Sequence, residues 1–239
     1  PPICCNVNLF RALHKALERQ DGGVRPVVLT VAGSDPGGGA GIQADLAVFR
    51  AFGAHGCAVV SALTVQDTRG VREVHPVSKQ LVRAQLETLL ADLQPGAMKT
   101  GMLPDKAVME GLLEALPRHT DPWVLDPVRV ASSGAQLMNA DAQEFLDRVM
   151  ARLATLVTPN LVEAGRFLGL DGPAPDAAEA ARRLADRWNT AVLVKGGHAA
   201  GAMSCDVLAS DHGLWQFRAP RVSANSCADT LERTARYGN

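Results

Sequence analysis

Neither sign of charge prevails along this sequence: 24 lysines and arginines stand against 25 aspartates and glutamates, a formal net charge of -1. Such a balance leaves no electrostatic footprint for nucleic acid or an anionic membrane, so small or locally bound partners are expected. Cysteine is sparse and unpatterned. Cys4, Cys5, Cys57, Cys205 and Cys227 are odd in number and none forms a C-x-x-C pair. That argues against a disulfide framework and a zinc site, and suits a reducing cytoplasm. No apolar run approaches the roughly 18 residues of a membrane span. No basic segment followed by an apolar core opens the chain, so a secretory leader is not expected.

What is present is an ordinary globular composition, 47% apolar and 21% charged over 239 residues, long enough to bury a sizeable core. The most distinctive stretch is Ala32-Gly33-Ser34-Asp35-Pro36-Gly37-Gly38-Gly39-Ala40-Gly41. Before it, Val27-Val28-Leu29-Thr30-Val31 reads as a buried strand; after it, Ile42, Leu46 and Phe49 fall at helical spacing. Strand, glycine loop and helix make a binding geometry, because glycine lets backbone approach a ligand and helix-start N–H groups can face oxygen. A glycine-rich turn also arises wherever the chain must simply reverse. No Lys-Ser or Lys-Thr follows the last glycine, which disfavours a Walker-type loop, and the region some twenty positions on, Leu63-Thr64-Val65-Gln66, lacks the acidic residue of a dinucleotide fingerprint.

Residues 1–25 stand apart. Leu9, Phe10, Leu13 and Leu17 form an apolar stripe closed by Asp21-Gly22-Gly23, an accessory helix or an extension. From Val27 onward strands and helices alternate. Strands are expected at Cys57 to Thr64, Ala97 to Thr100, Trp123 to Leu125, Leu156 to Thr158 and Ala191 to Lys195, with a hairpin at Asp206 to Leu208 and Leu214 to Phe217. Helices are expected at Gln80 to Leu93, Lys106 to Leu116, Ala142 to Arg152, Asn160 to Leu168 and Ala177 to Trp188. The alternation calls for an α/β fold, a mainly parallel sheet with helices on both faces. No internal repeat or low-complexity linker divides it, so one domain is expected. Polar residues and glycines gather at the carboxyl ends of six strands, where such sheets bind ligands: Gly33-Ser34-Asp35, Gln66-Asp67-Thr68, Thr100-Gly101-Met102, Asp126-Pro127, Thr158-Pro159-Asn160 and Lys195-Gly196-Gly197-His198.

Three of these stretches, Val31 to Asp45, Ala62 to Gly70 and Lys99-Thr100-Gly101-Met102-Leu103, resemble the hydroxymethylpyrimidine and phosphomethylpyrimidine kinase family. Leu125-Asp126-Pro127-Val128, Thr158-Pro159-Asn160-Leu161-Val162-Glu163-Ala164 and Val194-Lys195-Gly196-Gly197-His198 agree in order and kind, so the likeness covers roughly Val27 to Asn225. It implies a ribokinase-like fold, with residues 1–25 as an extension and 26–239 as one kinase domain. It further implies a cytoplasmic homodimer that uses ATP and magnesium to phosphorylate 4-amino-5-hydroxymethyl-2-methylpyrimidine, then its monophosphate, in thiamine biosynthesis.

Carried over by residue, Gln66 would hydrogen-bond the aminopyrimidine, its amide offering both a donor and an acceptor. Gly33 and Ala40 would give close backbone contact, Asp45 would lie near the hydroxymethyl group, and Met102 and Val128 would form apolar walls. Thr158, Lys195 and Gly197 fall to the nucleotide, and Asp126, Asn160 and Glu163 to magnesium. Asn160 and Glu163, three apart at a helix start, share a face and could orient metal-bound water. The alternative reading of Glu163 is a first-turn carboxylate favoured by the helix dipole.

The resemblance also implies a Gly-Thr-Gly-Cys turn after Asn225, whose N–H groups hold the transferring phosphoryl and whose cysteine takes the hydroxyl proton. Here Ser226-Cys227-Ala228-Asp229 stands instead, with no glycine before Gly238, so the C-terminal part is truncated or altered relative to the family pattern. Neither Cys227 nor Asp229 has beside it the glycines of an anion-binding nest, and the catalytic base is left unassigned. Arg129, just after Asp126-Pro127-Val128, occupies a place where an apolar residue is expected. Three readings stay open: the pyrimidine kinase, a non-catalytic aminopyrimidine-binding protein on the same scaffold, and a pyridoxal-type kinase.

Overall fold

The computed structural model describes residues 25–116, 122–130, 136–196 and 202–220. At its centre is β1 (Val27–Ser34), whose six inner residues are buried. It pairs in parallel with β2 (His55–Asp67) on one side and β4 (Ala97–Thr100) on the other. The parallel order continues through β5 (Trp123–Leu125), β6 (Leu156–Val157) and β7 (Ala191–Val194). Antiparallel strands finish both edges: β3 (Gly70–Pro76) beside β2, and the hairpin of β8 (Met203–Ser210) and β9 (Gly213–Pro220) beside β7. The sheet runs β3-β2-β1-β4-β5-β6-β7-β8-β9.

Successive side chains of a strand point to opposite faces, and β1 shows what each face meets. Val28 joins Ala97, Ala54, Phe49 and Leu46 under helix α1 (Gly41–Ala51). Leu29 and Val31 join the large core with Val59 and Met98, covered by α2 (Lys79–Asp92) and α3 (Lys106–Ala115). Ser78 and Asp105 cap these two helices by accepting the N–H groups of Leu81 and Val108, relieving donors with no helical partner. The helices approach closely at Gly111, where an added Cβ would stand 2.6 Å from the Lys79 carbonyl oxygen.

Helix α4 begins at Ala140–Phe145, widens into a π-helical turn over Leu146–Met150 and ends at Ala151–Leu153. Asp147 in the wide turn accepts the Trp188 indole N–H at 2.8 Å and pairs with Arg187, tying α4 to α6 (Ala177–Trp188). Trp188 is fully buried and meets Phe167 of α5 (Leu161–Phe167) edge to face, centroids 5.0 Å apart.

The six parallel strands and the helices lie where the sequence pattern puts them, within two residues at most helix ends. Two differences have a physical reason. The late hairpin is longer at both ends, because Ser204, Val207 and Ala209 still face the interior. Strand β3 was not expected: Gln66-Asp67-Thr68 reads as a loop, yet Gln66 and Asp67 close β2 opposite Val71 and Gly70. The Asp67 carboxylate accepts the N–H groups of Arg69 and Gly70, which turns the chain back on itself. The apolar stripe at Leu9 to Leu17, Gly197, His198, Cys227 and Asp229 lie outside the described residues.

Candidate functional site

The glycine loop after β1 is shaped by one buried carboxylate. Asp35 accepts the N–H groups of Gly37 at 2.8 Å, Gly39 at 3.0 Å and Ala40 at 2.9 Å. The loop's donors thus converge on the chain's own anion. Gly41 adopts φ +59°, and a Cβ there would stand 2.2 Å from the Gly33 carbonyl oxygen, so glycine is required for the loop to fold onto itself. Gln43 clamps the far side, accepting the Asp35 N–H and donating to the Ser34 hydroxyl. Ala40 begins α1 as an exposed N-cap with no side-chain acceptor.

Beside the loop lies an apolar wall. The register sets Gly33 against Ala62 of β2, and Met102 packs on both: it clusters with Ala62, Leu137, Val71, Val74 and Val128, and its methyl stands 2.4 Å from where a Gly33 Cβ would be. Met102 is itself fixed through its carbonyl, which accepts the buried Ser61 hydroxyl at 2.6 Å. Gln66, at the end of β2, faces Val71 across the hairpin, and its Oε1 accepts the Thr64 hydroxyl. Gly33, Gln66, Met102 and Val128 are therefore brought to one corner of the carboxyl edge.

A row of alternating charge crosses that edge. Asp45 of α1 accepts the Thr30 hydroxyl at 2.6 Å, and the Lys99 ammonium at 2.9 and 2.8 Å on its two oxygens. At the end of β5, Asp126 accepts the Lys195 ammonium at 2.7 Å. Burial by itself raises the Asp126 carboxyl. The charges of Lys195 and Lys99, with hydrogen bonds from Lys195 and Thr158, outweigh burial and hold it below the ordinary value. Lys195 reaches this place because its N–H bonds the Pro159 carbonyl and its backbone bridges Asn160, which extends β6 and β7 past their named ends.

Asn160 and Glu163 form a complete capping box at the start of α5. The Asn160 side chain accepts the N–H groups of Val162 and Glu163, while Glu163 accepts the Asn160 N–H at 2.8 Å. Glu163 is only 6% exposed, and burial lifts its carboxyl to about 7; Lys195 opposes the rise, Asp126 adds to it, and the N–H groups of Asn160 and Arg129 oppose it. Among the described residues no three His, Cys, Asp or Glu side chains meet as a metal cage. The donor set still fits Mg2+, which keeps several waters and takes one or two carboxylates together with substrate phosphates.

Lys99 belongs to the Lys99-Thr100-Gly101-Met102-Leu103 stretch, and the pattern of that stretch alone assigns it no role. A lysine between the buried Met98 and Thr100 of a central strand is itself a signal, since lysine is almost never buried unpaired. Arg129 is a second surprise. Its guanidinium lies over the Phe167 ring at 5.0 Å and reaches Gln143, while its buried Nε has no hydrogen-bond partner among the described residues.

The described residues form a mostly parallel sheet flanked by helices, the ribokinase-like fold of the pyridoxal and phosphomethylpyrimidine kinases that the chain resembles in structure. The chain belongs to the phosphomethylpyrimidine kinase family, whose model matches residues 35–230. A hydroxymethylpyrimidine/phosphomethylpyrimidine kinase from Rhizobium meliloti is 41% identical over 203 residues, spanning 84% of this chain and 76% of the relative. The crystal structure of phosphomethylpyrimidine kinase from Clostridium difficile gives a TM-score of 0.72 at 34% identity, covering 81% of this chain and 84% of that one. Pyridoxal kinase from Staphylococcus aureus in complex with AMP-PCP gives 0.73 at 31% identity, covering 85% and 75%.

Proposed function

We propose that this chain transfers the γ-phosphoryl group of ATP to 4-amino-5-hydroxymethyl-2-methylpyrimidine and then to the resulting monophosphate, serving thiamine biosynthesis in the cytoplasm. The observation that carries this reading is the continuity of the Met102 wall, the Asp45–Lys99 pair and the Asp126–Lys195 pair along one sheet edge. Gln66 would pair with the ring edge and Met102 and Val128 would cover its faces. Gly33 and Ala40 would admit the ring to close backbone contact, leaving its hydroxymethyl group toward Asp45.

On the other side Thr158, Lys195 and Gly197 would hold the nucleotide, Lys195 supplying positive charge where it develops during transfer. Mg2+, held by Asp126, Asn160 and Glu163 largely through water, would neutralise phosphate charge. In the first transfer the hydroxyl oxygen bonds to the γ-phosphorus, the bond to the β,γ-bridging oxygen breaks, and ADP leaves with that electron pair. The hydroxyl proton passes to a general base. Leu63 and Val65 share one face of β2 and are 57% and 45% exposed, which supports a homodimer formed through that face.

Titration of the pyrimidine alcohol, with a parallel assay of ADP formation, tests the reading. ATP-dependent phosphorylation is expected. Pyrimidine binding without ADP would favour the non-catalytic scaffold, which the sequence Ser226-Cys227-Ala228-Asp229 motivates. Turnover of pyridoxal but not the pyrimidine would favour the pyridoxal-type kinase.

A further inference from the structure

Lys99 stands between two carboxylates. Its ammonium donates to both oxygens of Asp45, and its charge also acts on Asp126, which follows the neighbouring strand β5. The side chain reaches this place by passing over Gly101, where an added Cβ would stand 3.0 Å from its Nζ. It is 23% exposed and Asp45 17%, so the pair is accessible from the site without being bathed in solvent. Thr30 holds Asp45 independently, by a hydroxyl bond of 2.6 Å. Asp45 would therefore keep a hydrogen-bond partner if the ammonium moved.

The alcohol and its monophosphate place different demands on this corner. The alcohol is neutral, and a carboxylate beside its hydroxyl is compatible with it. A phosphate monoester carries a charge of about -1.5 to -2 at neutral pH. Attached at the same carbon, it meets Asp45 directly and Asp126 beyond it. Two like charges at such range disfavour entry unless a cation lies between.

We propose that Lys99 is the residue that admits the monophosphate: its ammonium turns from Asp45 to a phosphate oxygen, so that one pocket takes a neutral and then an anionic substrate. The inference rests on the pyrimidine reading above and deepens it. In this second transfer an oxygen of the bound phosphate forms the bond to the γ-phosphorus of ATP, the bond to the β,γ-bridging oxygen breaks, and ADP takes the electron pair. The attacking oxygen is already anionic, so no base is required. Lys99 supplies the neutralisation that lets two phosphates approach.

The test is calorimetric titration of the full chain with the alcohol and, separately, with the monophosphate, for the native sequence, Lys99→Met and Lys99→Arg. Losing a charge-assisted hydrogen bond is expected to weaken monophosphate binding by about 30-fold more than alcohol binding in Lys99→Met. Lys99→Arg recovers most of that difference. Retained alcohol binding reports that the variant is folded; if Lys99→Met does not fold, Lys99→Gln carries the same expectation. Equal weakening toward both ligands, or a larger loss toward the alcohol, overturns the role of Lys99 alone. Failure of the native chain to bind either pyrimidine overturns the functional reading and this inference together.

Discussion

Glu163 caps a helix and at the same time faces Asp126 and Lys195. Its carboxyl titrates at about 7 in the folded chain against an ordinary 4.5, so the folded state holds the proton more tightly than the unfolded one. The associated stability is fully present below the ordinary value and is lost as pH rises through about 7. Glu163→Gln keeps an oxygen for the Asn160 N–H but cannot ionise. Relative to that variant, the native chain is expected to lose on the order of 1–3 kcal/mol between about pH 5 and pH 8, read from melting curves at both. Arg129 offers a second test. Its buried Nε has no partner among the described residues, and burial followed by repulsion from Arg166 lowers its pKa. Arg129→Met keeps an unbranched chain over Phe167 without the buried donor, and a rise in Tm of roughly 2–4 °C is expected.

At the scale of the element, the glycine loop depends on Asp35. Asp35→Ala leaves the N–H groups of Gly37, Gly39 and Ala40 without their acceptor. It is expected to cost about 2–3 kcal/mol, visible in thermal melts, with weaker pyrimidine binding in the same sample. Asp35→Asn, which keeps one good acceptor, falls between. That arrangement was not legible in the sequence, because glycines announce exposed N–H groups without saying what they point at. The buried strands were legible, since β-branched runs such as Val27 to Val31 have few alternatives. Strand β3 was not, because Val71 and Val74 are separated by Arg72 and Glu73 on an edge where solvent tolerates charge. Asn160 and Glu163 show a different limit: a spacing of three serves a capping box and a pair of metal-facing side chains alike. Lys99 escaped assignment because its partner Asp45 lies 54 residues away.

For the molecule as a whole, the exposed face of β2 carries the prediction about assembly. If the proposed homodimer forms through this face, a double variant, Leu63→Glu with Val65→Glu, halves the mass seen by light scattering. An unchanged mass would overturn the proposal of a homodimer through that face. The sheet itself has a narrow middle. On one side β1 and β2 have 8 and 13 residues; β8 and β9, beyond β7, have 8 each; between them β5 has three residues and β6 only two. Gln66, Met102, Asp45 and Lys99 lie on the first side of this waist, Asn160, Glu163 and Lys195 on the other, and Asp126 at the tip of β5. The waist holds few ladder hydrogen bonds but is thick in buried side chains, including Leu125, Leu156 and Val157. On the proposed reading, the substrate-side and nucleotide-side residues are therefore joined across the sheet by the five residues of β5 and β6.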